Sequence, residues 1–394
     1  MSAEQVSNTG VVVIGAGLAG WHVIDAIRSK DKDVPITLIT ADNADRYHKP
    51  MLTMAISQNK RAADLVRASG TDAAAASNVT LLAHTRVTDI HADSQTLSVE
   101  SADADSDAGT QTIGYDKLVL AMGAHPIFPP SLPQEVVWHV NHIEQFARLQ
   151  DKLASGSQRV AIVGAGMVGT EIAEDLLKAG HEVTLIDLND APLSQMLPAT
   201  ATARIAKAIN SQGIRFAGNV KVTRVERLDN DALQIDYQRT DIEGDNSTSI
   251  EVDHVIASTG LMVDDALPTA AGVGFDRRTG ITVDATTLRT DTDHIYAIGD
   301  CMSIDGVPCR YVAPLRAQAA TIADDILGAE HAGYAHKPPM IRLKNKAISV
   351  MATGTPHASG NWQATTETDD ELVMERLDDA GNVIATVTIK SPAA

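Results

Sequence analysis

The chain has 394 residues, few cysteines, no long apolar run and fewer basic than acidic residues, and each of these features excludes a class of protein. Its two cysteines are too few for a disulfide framework and indicate a reducing compartment. No apolar run approaches the roughly 18 residues of a membrane-spanning helix. The net charge of -19 argues against binding to nucleic acid or to an anionic membrane. The N-terminal residues lack the basic and apolar regions of a signal peptide, so we expect a cytoplasmic protein without membrane insertion.

Two glycine-rich turns are the most informative feature that is present. They are Gly15-Ala16-Gly17-Leu18-Ala19-Gly20, after Val11-Val12-Val13-Ile14, and Gly164-Ala165-Gly166-Met167-Val168-Gly169, after Val160-Ala161-Ile162-Val163. Amphipathic patterns predict helices over 21–29 and 170–178. A buried strand, a glycine turn and a helix N-terminus together bind a dinucleotide pyrophosphate, because the glycines let backbone N–H groups approach the phosphates. Two such units predict two bound dinucleotides, one to donate electrons and one to hold them.

Acidic residues follow the second strand of each unit, where an acid normally binds the ribose hydroxyls about 20 residues past the glycines. In the second unit this residue is Asp187, and in the first it is Asp42, in a looser register. No Lys or Arg near Asp187 would accept a 2′-phosphate, so we expect a preference for NADH over NADPH. The residues indicate no metal site.

Three further segments resemble those of the two-dinucleotide flavoprotein reductases, which share the glutathione-reductase architecture. The segments are Leu118-Val119-Leu120-Ala121-Met122-Gly123-Ala124, Val255-Ile256-Ala257-Ser258-Thr259-Gly260 and Thr292-Asp293-His294-Ile295-Tyr296-Ala297-Ile298-Gly299-Asp300. Met122 stands where the family usually has Thr. The resemblance implies FAD at the first glycine turn, NADH at the second, and Asp300 as the residue that binds the ribityl chain of FAD.

The same resemblance implies an α/β fold with two Rossmann-like dinucleotide-binding domains and a small C-terminal α+β domain. We expect a discontinuous FAD-binding domain over 1–125 and 251–330. The NAD-binding domain is expected over 126–250 and the C-terminal domain over 331–394.

The position of the cysteines decides between branches of the family. Disulfide reductases carry a cysteine pair early in the chain beside the flavin, whereas Cys301 and Cys309 lie late here. No dithiol or sulfenate-forming thiol is therefore expected at the flavin. We expect Cys301 to be a buried core residue, and the electrons to pass directly to an external acceptor.

A loop in the first half of the chain resembles that of rubredoxin reductases. It reads Tyr47-His48-Lys49-Pro50-Met51-Leu52. The resemblance implies that Lys49 lies near N5 of the flavin and that Glu171 is the acidic partner of this lysine. Both are candidate catalytic and FAD-binding residues.

Other positions are assigned to FAD by resemblance alone. The segment Arg310-Tyr311-Val312-Ala313-Pro314 is similar to one whose backbone N–H groups, that of Val312 included, approach the flavin pyrimidine. Lys344 matches a flavin-side lysine of rubredoxin reductases, and Val87 matches a strand residue whose backbone meets the adenine.

The sequence thus predicts a monomeric, FAD-containing NADH:rubredoxin reductase that supplies electrons for alkane hydroxylation. The alternatives are a ferredoxin reductase of an oxygenase system and the reductase of a flavorubredoxin in nitric-oxide detoxification. A redox-controlled interaction protein similar to apoptosis-inducing flavoproteins conflicts with the net charge of -19. Because rubredoxins are small acidic proteins, we expect a local basic patch for docking; its residues are Arg310, Arg316, Arg342, Lys344 and Lys346.

Overall fold

The computed structural model describes residues 5–6, 10–102, 109–244, 246–338, 340–343, 345, 348–354 and 356–391. Its helices are α1 (Leu18–Arg28), α2 (Ala62–Leu65), α3 (Gly70–Ala76), α4 (Ile143–Leu153), α5 (Met167–Lys178), α6 (Ala199–Ser211), α7 (Ala266–Ala270) and α8 (Leu315–Ile326). Short 3-10 helices span Lys49–Met54 and Gly299–Cys301. None of the helices in these ranges has the length and hydrophobicity needed to cross a membrane.

The chain divides into two compact units. Unit 1 consists of Met1–His48, Leu65–His125 and Leu261–Lys337, and unit 2 consists of Lys49–Asp64, Pro126–Gly260 and Pro338–Ala394. Short strands at His125–Pro126 and Leu261–Met262 lie where the chain passes between the units. The division into three domains, with the boundaries expected from the sequence, stays a prediction.

Unit 1 is built around a five-stranded parallel sheet. Its strands, in spatial order, are Ile295–Ala297, Lys117–Leu120, Val11–Ile14, Ile36–Ile39 and Thr80–Leu82. A second sheet has the order Gln5–Val6, Gln111–Gly114, Thr96–Ser101 and Thr85–His91. A third sheet has the order Phe275–Asp276, Gly280–Thr282, Met302–Ile304 and Val307–Pro308. The short strands Arg46–Tyr47 and Val66–Ala68 pair with each other. The third sheet and α8 share the apolar core of the parallel sheet.

Unit 2 repeats the parallel arrangement. Its five strands have the spatial order Val137–Trp138, His254–Ala257, Arg159–Val163, Glu182–Ile186 and Arg215–Ala217. An antiparallel sheet follows with Val220–Arg227, Leu233–Arg239 and Thr248–Val252. The last part of the chain forms an antiparallel sheet in the order Ile341–Leu343, Ser349–Gly354, Val383–Lys390, Glu371–Leu377 and Asn361–Glu367.

The parallel strands follow directly from their composition. Every residue of Val11–Ile14 and of Ile36–Ile39 is buried, as expected of a parallel sheet that is covered on both faces. Both glycine turns begin immediately after the central strand of their sheet. Helices α1 and α5 begin three residues earlier than predicted, because the last glycine of each turn already lies in the first helical turn.

Candidate functional site

The first glycine turn shows why each of its glycines is required. Gly15 has a φ of +103°, and a Cβ on it would lie 2.4 Å from the carbonyl oxygen of Ala121. A Cβ on Gly20 would lie 2.0 Å from the carbonyl oxygen of Gly15. Around Gly17, by contrast, no described atom lies within 4 Å of the Cβ position. Gly15 and Gly20 therefore allow the strand and helix to pack closely, whereas Gly17 leaves space that a phosphate group can enter.

The second turn has the same geometry in unit 2. Gly164 has a φ of +107°, and its Cβ would lie 2.2 Å from the carbonyl oxygen of Ser258. The Cβ of a residue in place of Gly169 would lie 1.9 Å from the oxygen of Gly164. The space around Gly166 is open within the described part of the chain. In both turns the first and last glycines are thus required for close packing, whereas the middle glycine borders the space for a ligand.

Both helix N-termini are available to an anion. Gly17 caps α1 and Gly166 caps α5, each in an extended conformation, and no side chain among the described residues caps either helix. The first-turn N–H groups and the positive end of the helix dipole then favour a bound phosphate. These residues fit two dinucleotide pyrophosphates, one in each unit.

Asp187 is attached to the second turn. Its Oδ2 accepts a hydrogen bond of 2.5 Å from the Ala165 backbone N–H, and its Oδ1 accepts bonds from the backbone and side-chain nitrogens of Asn189, at 2.8 and 2.7 Å. The carboxylate is therefore fixed beside the glycine turn, where ribose hydroxyls would reach it. Leu188, which follows, is 59% exposed.

Asp42 occupies the corresponding place in unit 1, three residues beyond the end of the strand Ile36–Ile39. Its Oδ1 accepts hydrogen bonds from the Thr40 hydroxyl at 2.7 Å and from the Ala44 backbone N–H at 2.9 Å. These bonds hold the loop after the strand in a tight turn around the carboxylate, although Asp42 lies further beyond its strand than Asp187 does.

Asp300 lies at the same sheet edge as the first glycine turn. It belongs to the 3-10 helix Gly299–Cys301, which follows the parallel strand Ile295–Ala297. A Cβ on Gly299 would lie 2.9 Å from the Cβ of Ala19, so the two segments that the sequence assigned to FAD are in contact. Ligands of such sheets bind outside the carboxyl ends of the strands.

Lys49 and Glu171 both belong to unit 2. Lys49 begins the 3-10 helix Lys49–Met54, and Glu171 lies on α5, where it is 5% exposed. The Thr53 hydroxyl donates a 2.7 Å hydrogen bond to Oε2 of Glu171. The 3-10 helix that carries Lys49 is thereby joined to the helix that begins at the second glycine turn.

The remaining predicted positions are less informative. Val312 is half-buried and precedes Pro314, the N-cap of α8. Val87 is buried in the strand Thr85–His91. Lys344 lies outside the described residues, as does Lys346. Both terminal nitrogens of Arg310 donate to backbone carbonyls, those of Leu261 and Arg278, so the prediction that Arg310 belongs to an exposed basic patch is not supported.

Both cysteines are buried and unbridged. The Cys301 thiol donates to the carbonyl oxygens of Leu120 and Ile298, each at 3.3 Å, and its burial raises the pKa to about 11. Burial also raises the pKa of Cys309. Thiolates are the reactive form of cysteine, so the two side chains serve as small core residues, as predicted for Cys301.

Sequence reasoning missed the polar residues that hold the segment 49–64. Asp175 and Gln150 are buried on α5 and α4 and bind the backbone of this segment. The available sequence signal was a second acidic residue, Asp175, four residues after Glu171 on the same predicted helix. The backbone groups that Asp175 binds are remote in sequence, so the signal did not reveal them.

A family model described as pyridine nucleotide-disulphide oxidoreductase matches residues 9–323. The chain belongs to this family. A relative named nitric oxide reductase FlRd-NAD(+) reductase, from Shigella sonnei (strain Ss046), is 33% identical over 382 residues, which cover 96% of this chain and 95% of the relative.

Solved structures share the fold. The covalent putidaredoxin reductase–putidaredoxin complex has a TM-score of 0.83 at 24% identity and covers 97% of this chain and 90% of its own. The NADH:rubredoxin oxidoreductase from Clostridium acetobutylicum has a TM-score of 0.76 at 18% identity, with coverages of 97% and 92%. The predicted fold class and the cofactors FAD and NADH are confirmed, and the chain is an FAD-dependent oxidoreductase.

Proposed function

We propose that this chain is an NADH:rubredoxin reductase. The observation that carries the proposal is the combination of two dinucleotide turns with two cysteines that are buried and unbridged. Without a reactive thiol pair, electrons leave for an external acceptor rather than through a disulfide. When bound, FAD supplies the acceptor for a hydride and the donor of single electrons.

The residues of the chain have separate parts in this proposal. Gly166 and the N-terminus of α5 bind the NADH pyrophosphate, and Asp187 binds the ribose. Gly17 and Asp42 perform the corresponding tasks for FAD, and Asp300 binds its ribityl chain. Lys49 is a fixed cation whose charge is balanced by the buried Glu171, since a buried charge requires a partner.

A flavorubredoxin is the second candidate acceptor. The observation that favours it is the name of the Shigella sonnei relative, which matches almost the whole length of this chain. With either candidate, the electron acceptor would be a rubredoxin-type iron site. The supply of electrons for alkane hydroxylation, the monomeric state and the cytoplasmic location remain predictions from the sequence.

Stopped-flow mixing separates the candidates. The protein is reduced with one equivalent of NADH and then mixed with oxidised rubredoxin, with an isolated flavorubredoxin, or with a [2Fe–2S] ferredoxin. We expect rubredoxin to reoxidise the protein fastest. Faster transfer to flavorubredoxin would support the second candidate, and transfer to ferredoxin alone would overturn both.

A further inference from the structure

The segment 49–64 is held in unit 2 by buried polar side chains, although its neighbours in sequence on both sides belong to unit 1. This segment begins with Lys49. Three side chains of α4 and α5 bind it at successive points, and all three are at most 8% exposed; they are Gln150, Glu171 and Asp175.

Asp175 makes the most extensive of these contacts. Its Oδ2 accepts from the Ile56 backbone N–H at 2.9 Å. Its Oδ1 accepts from the Ser57 backbone N–H at 3.2 Å and from the Ser57 hydroxyl at 2.5 Å. Hydrogen bonds to a charged acceptor are about twice as strong as neutral ones. One buried carboxylate on α5 therefore binds two consecutive backbone amides of the segment.

The other two contacts lie on either side of Asp175. Glu171, one turn earlier on α5, accepts from Thr53. Gln150 on α4 donates to the Lys60 carbonyl at 2.7 Å and accepts from the Ala62 backbone N–H at 3.0 Å. The segment is thus attached from Thr53 to Ala62, and its attachment to α5 is the part nearest Lys49.

Helix α5 also carries the second glycine turn at its N-terminus. Gly166 and Asp175 are separated by nine residues of one helix, about 14 Å of rise. A helix is stiff over such a length, so α5 links the expected pyrophosphate site mechanically to the contacts two turns further on.

We propose that Asp175 is a positioning residue: it attaches the 3-10 helix of Lys49 to α5, so that a nicotinamide dinucleotide bound at the start of α5 orders the segment 49–64. The inference rests on the proposed binding of NADH at Gly166. It assigns to Asp175, Ser57 and Ile56 a role that a merely structural anchor would not have, since an anchor would hold the segment equally with and without nucleotide.

Hydrogen exchange tests the proposal on the FAD-loaded full chain with and without saturating NAD⁺, which binds without turnover. We expect NAD⁺ to slow exchange of the Ile56 and Ser57 amides by about tenfold, within the usual range of coupling between sites. In D175N this protection is lost, because Asn has one acceptor oxygen and presents an NH₂ group to one of the two amides.

Asp151 provides the matched control. It is an exposed carboxylate on α4 that pairs with Arg61 of the same segment at 3.5 Å. D151N removes a carboxylate from the same neighbourhood and should leave the protection by NAD⁺ intact. If D175N does not fold, S57A removes only the hydroxyl donor and should reduce the protection in part.

Calorimetry with NAD⁺ distinguishes a failure of the role proposed for Asp175 from a failure of the proposed function. Because coupling is reciprocal, D175N should bind NAD⁺ more weakly by the factor by which protection is lost. NAD⁺ that binds to the unaltered chain without slowing exchange, or protection that survives in both D175N and S57A, would overturn the role of Asp175. No binding of NAD⁺ to the unaltered chain would instead overturn the proposed function.

Discussion

The glycines of each turn differ in what surrounds them, although they look equivalent in sequence. Gly164 has a positive φ and a backbone carbonyl 2.2 Å from its Cβ position, whereas Gly166 has open space. The requirement for Gly164 is therefore steric and internal to the fold. The requirement for Gly166 concerns the ligand, and mutation separates the two.

Gly164→Ala should destabilise the protein by about 3 kcal/mol, the sum of a left-handed backbone for a non-glycine residue and an overlap with Ser258. Gly166→Ala should leave the free energy of unfolding nearly unchanged and weaken NADH binding by about tenfold, or 1.4 kcal/mol. Denaturant titration and NADH calorimetry measure the two effects. A loss of stability in Gly166→Ala equal to that in Gly164→Ala would contradict this division.

Asp187 should control the choice between NADH and NADPH. Its carboxylate is held at the glycine turn, where it would bind a ribose diol and repel a 2′-phosphate. Asp187→Ala combined with Leu188→Arg should lower the ratio of kcat/KM for NADH to that for NADPH by about a hundredfold, or 2.7 kcal/mol. The single change Leu188→Arg is the control. An unchanged ratio in the double variant would remove Asp187 from the ribose site.

The cysteines should resist alkylation. Burial raises the pKa of Cys301 to about 11 and also raises that of Cys309, so little thiolate exists at pH 8. After incubation with iodoacetamide at pH 8, we expect unmodified cysteines by mass spectrometry and full NADH:ferricyanide activity. Rapid modification with loss of activity would point to a reactive thiol and to a different electron route.

At the scale of secondary-structure elements, the turn 284–288 provides a clear test of pH dependence. Oδ1 of Asp284 accepts hydrogen bonds of 2.7 to 3.0 Å from the backbone and hydroxyl groups of Thr286 and Thr287. These bonds, that of the Thr287 hydroxyl first, lower the pKa of Asp284 to about 2. The turn connects the strand Gly280–Thr282 to the core residue Leu288.

Because the pKa of Asp284 is lower in the folded state, its contribution to stability is present above the ordinary value of 3.8 and disappears as the pH falls towards 2. Asp284→Ala should cost about 1 kcal/mol at pH 7, after allowance for the exposure of the carboxylate, and only a small fraction of that at pH 2, where Asp284 is about half protonated in the folded state. Urea denaturation at both pH values measures this. An equal cost at the two pH values would show that the loss comes from packing instead.

Helices α4 and α5 illustrate why contacts between elements escape sequence patterns. Their apolar faces are periodic and predict burial. Three acidic residues of α5 are also buried, namely Glu171, Glu174 and Asp175. From the periodicity of the helix, acidic side chains would be expected on a solvated face. Glu171 and Asp175 are accommodated because Thr53 and Ser57, from a remote segment of unit 2, donate hydrogen bonds to them, whereas Glu174 pairs with Lys178 of α5 itself.

At the scale of the whole molecule, the net charge of -19 would oppose the approach of an acidic rubredoxin. The proposed function therefore requires local cations where such a carrier docks. Arg316 on the first turn of α8 is exposed, in contrast to Arg310, whose guanidinium is bound to carbonyls. Arg316 is therefore the part of the expected patch that unit 1 presents to solvent.

Arg316→Glu should lower kcat/KM for rubredoxin by about tenfold at low salt and by less at 0.5 M salt, because screening weakens interactions between exposed charges. Ferricyanide reduction should be less affected. Arg86→Glu, a reversal of an exposed arginine in the strand Thr85–His91, is the control. Equal losses with both acceptors, or in both variants, would remove Arg316 from the docking surface.

The sequence alone determined the two dinucleotide units, because their signals are local. Apolar strand, glycine turn and amphipathic helix are contiguous, and each part restricts the backbone through its own residues. The acids Asp187 and Asp42 follow the same strands and could be found by counting. The scarcity of cysteine likewise excluded a disulfide framework from composition alone.

Only the tertiary structure decided which residues complete these units. Ser258 and Ala121 make Gly164 and Gly15 obligatory, and both belong to distant segments of the chain. Asp175 and Ser57 are separated by more than a hundred residues, and no periodicity relates them. Hydrogen bonds between remote segments depend on how buried elements pack, and the energy of a buried carboxylate depends on donors that local sequence does not contain.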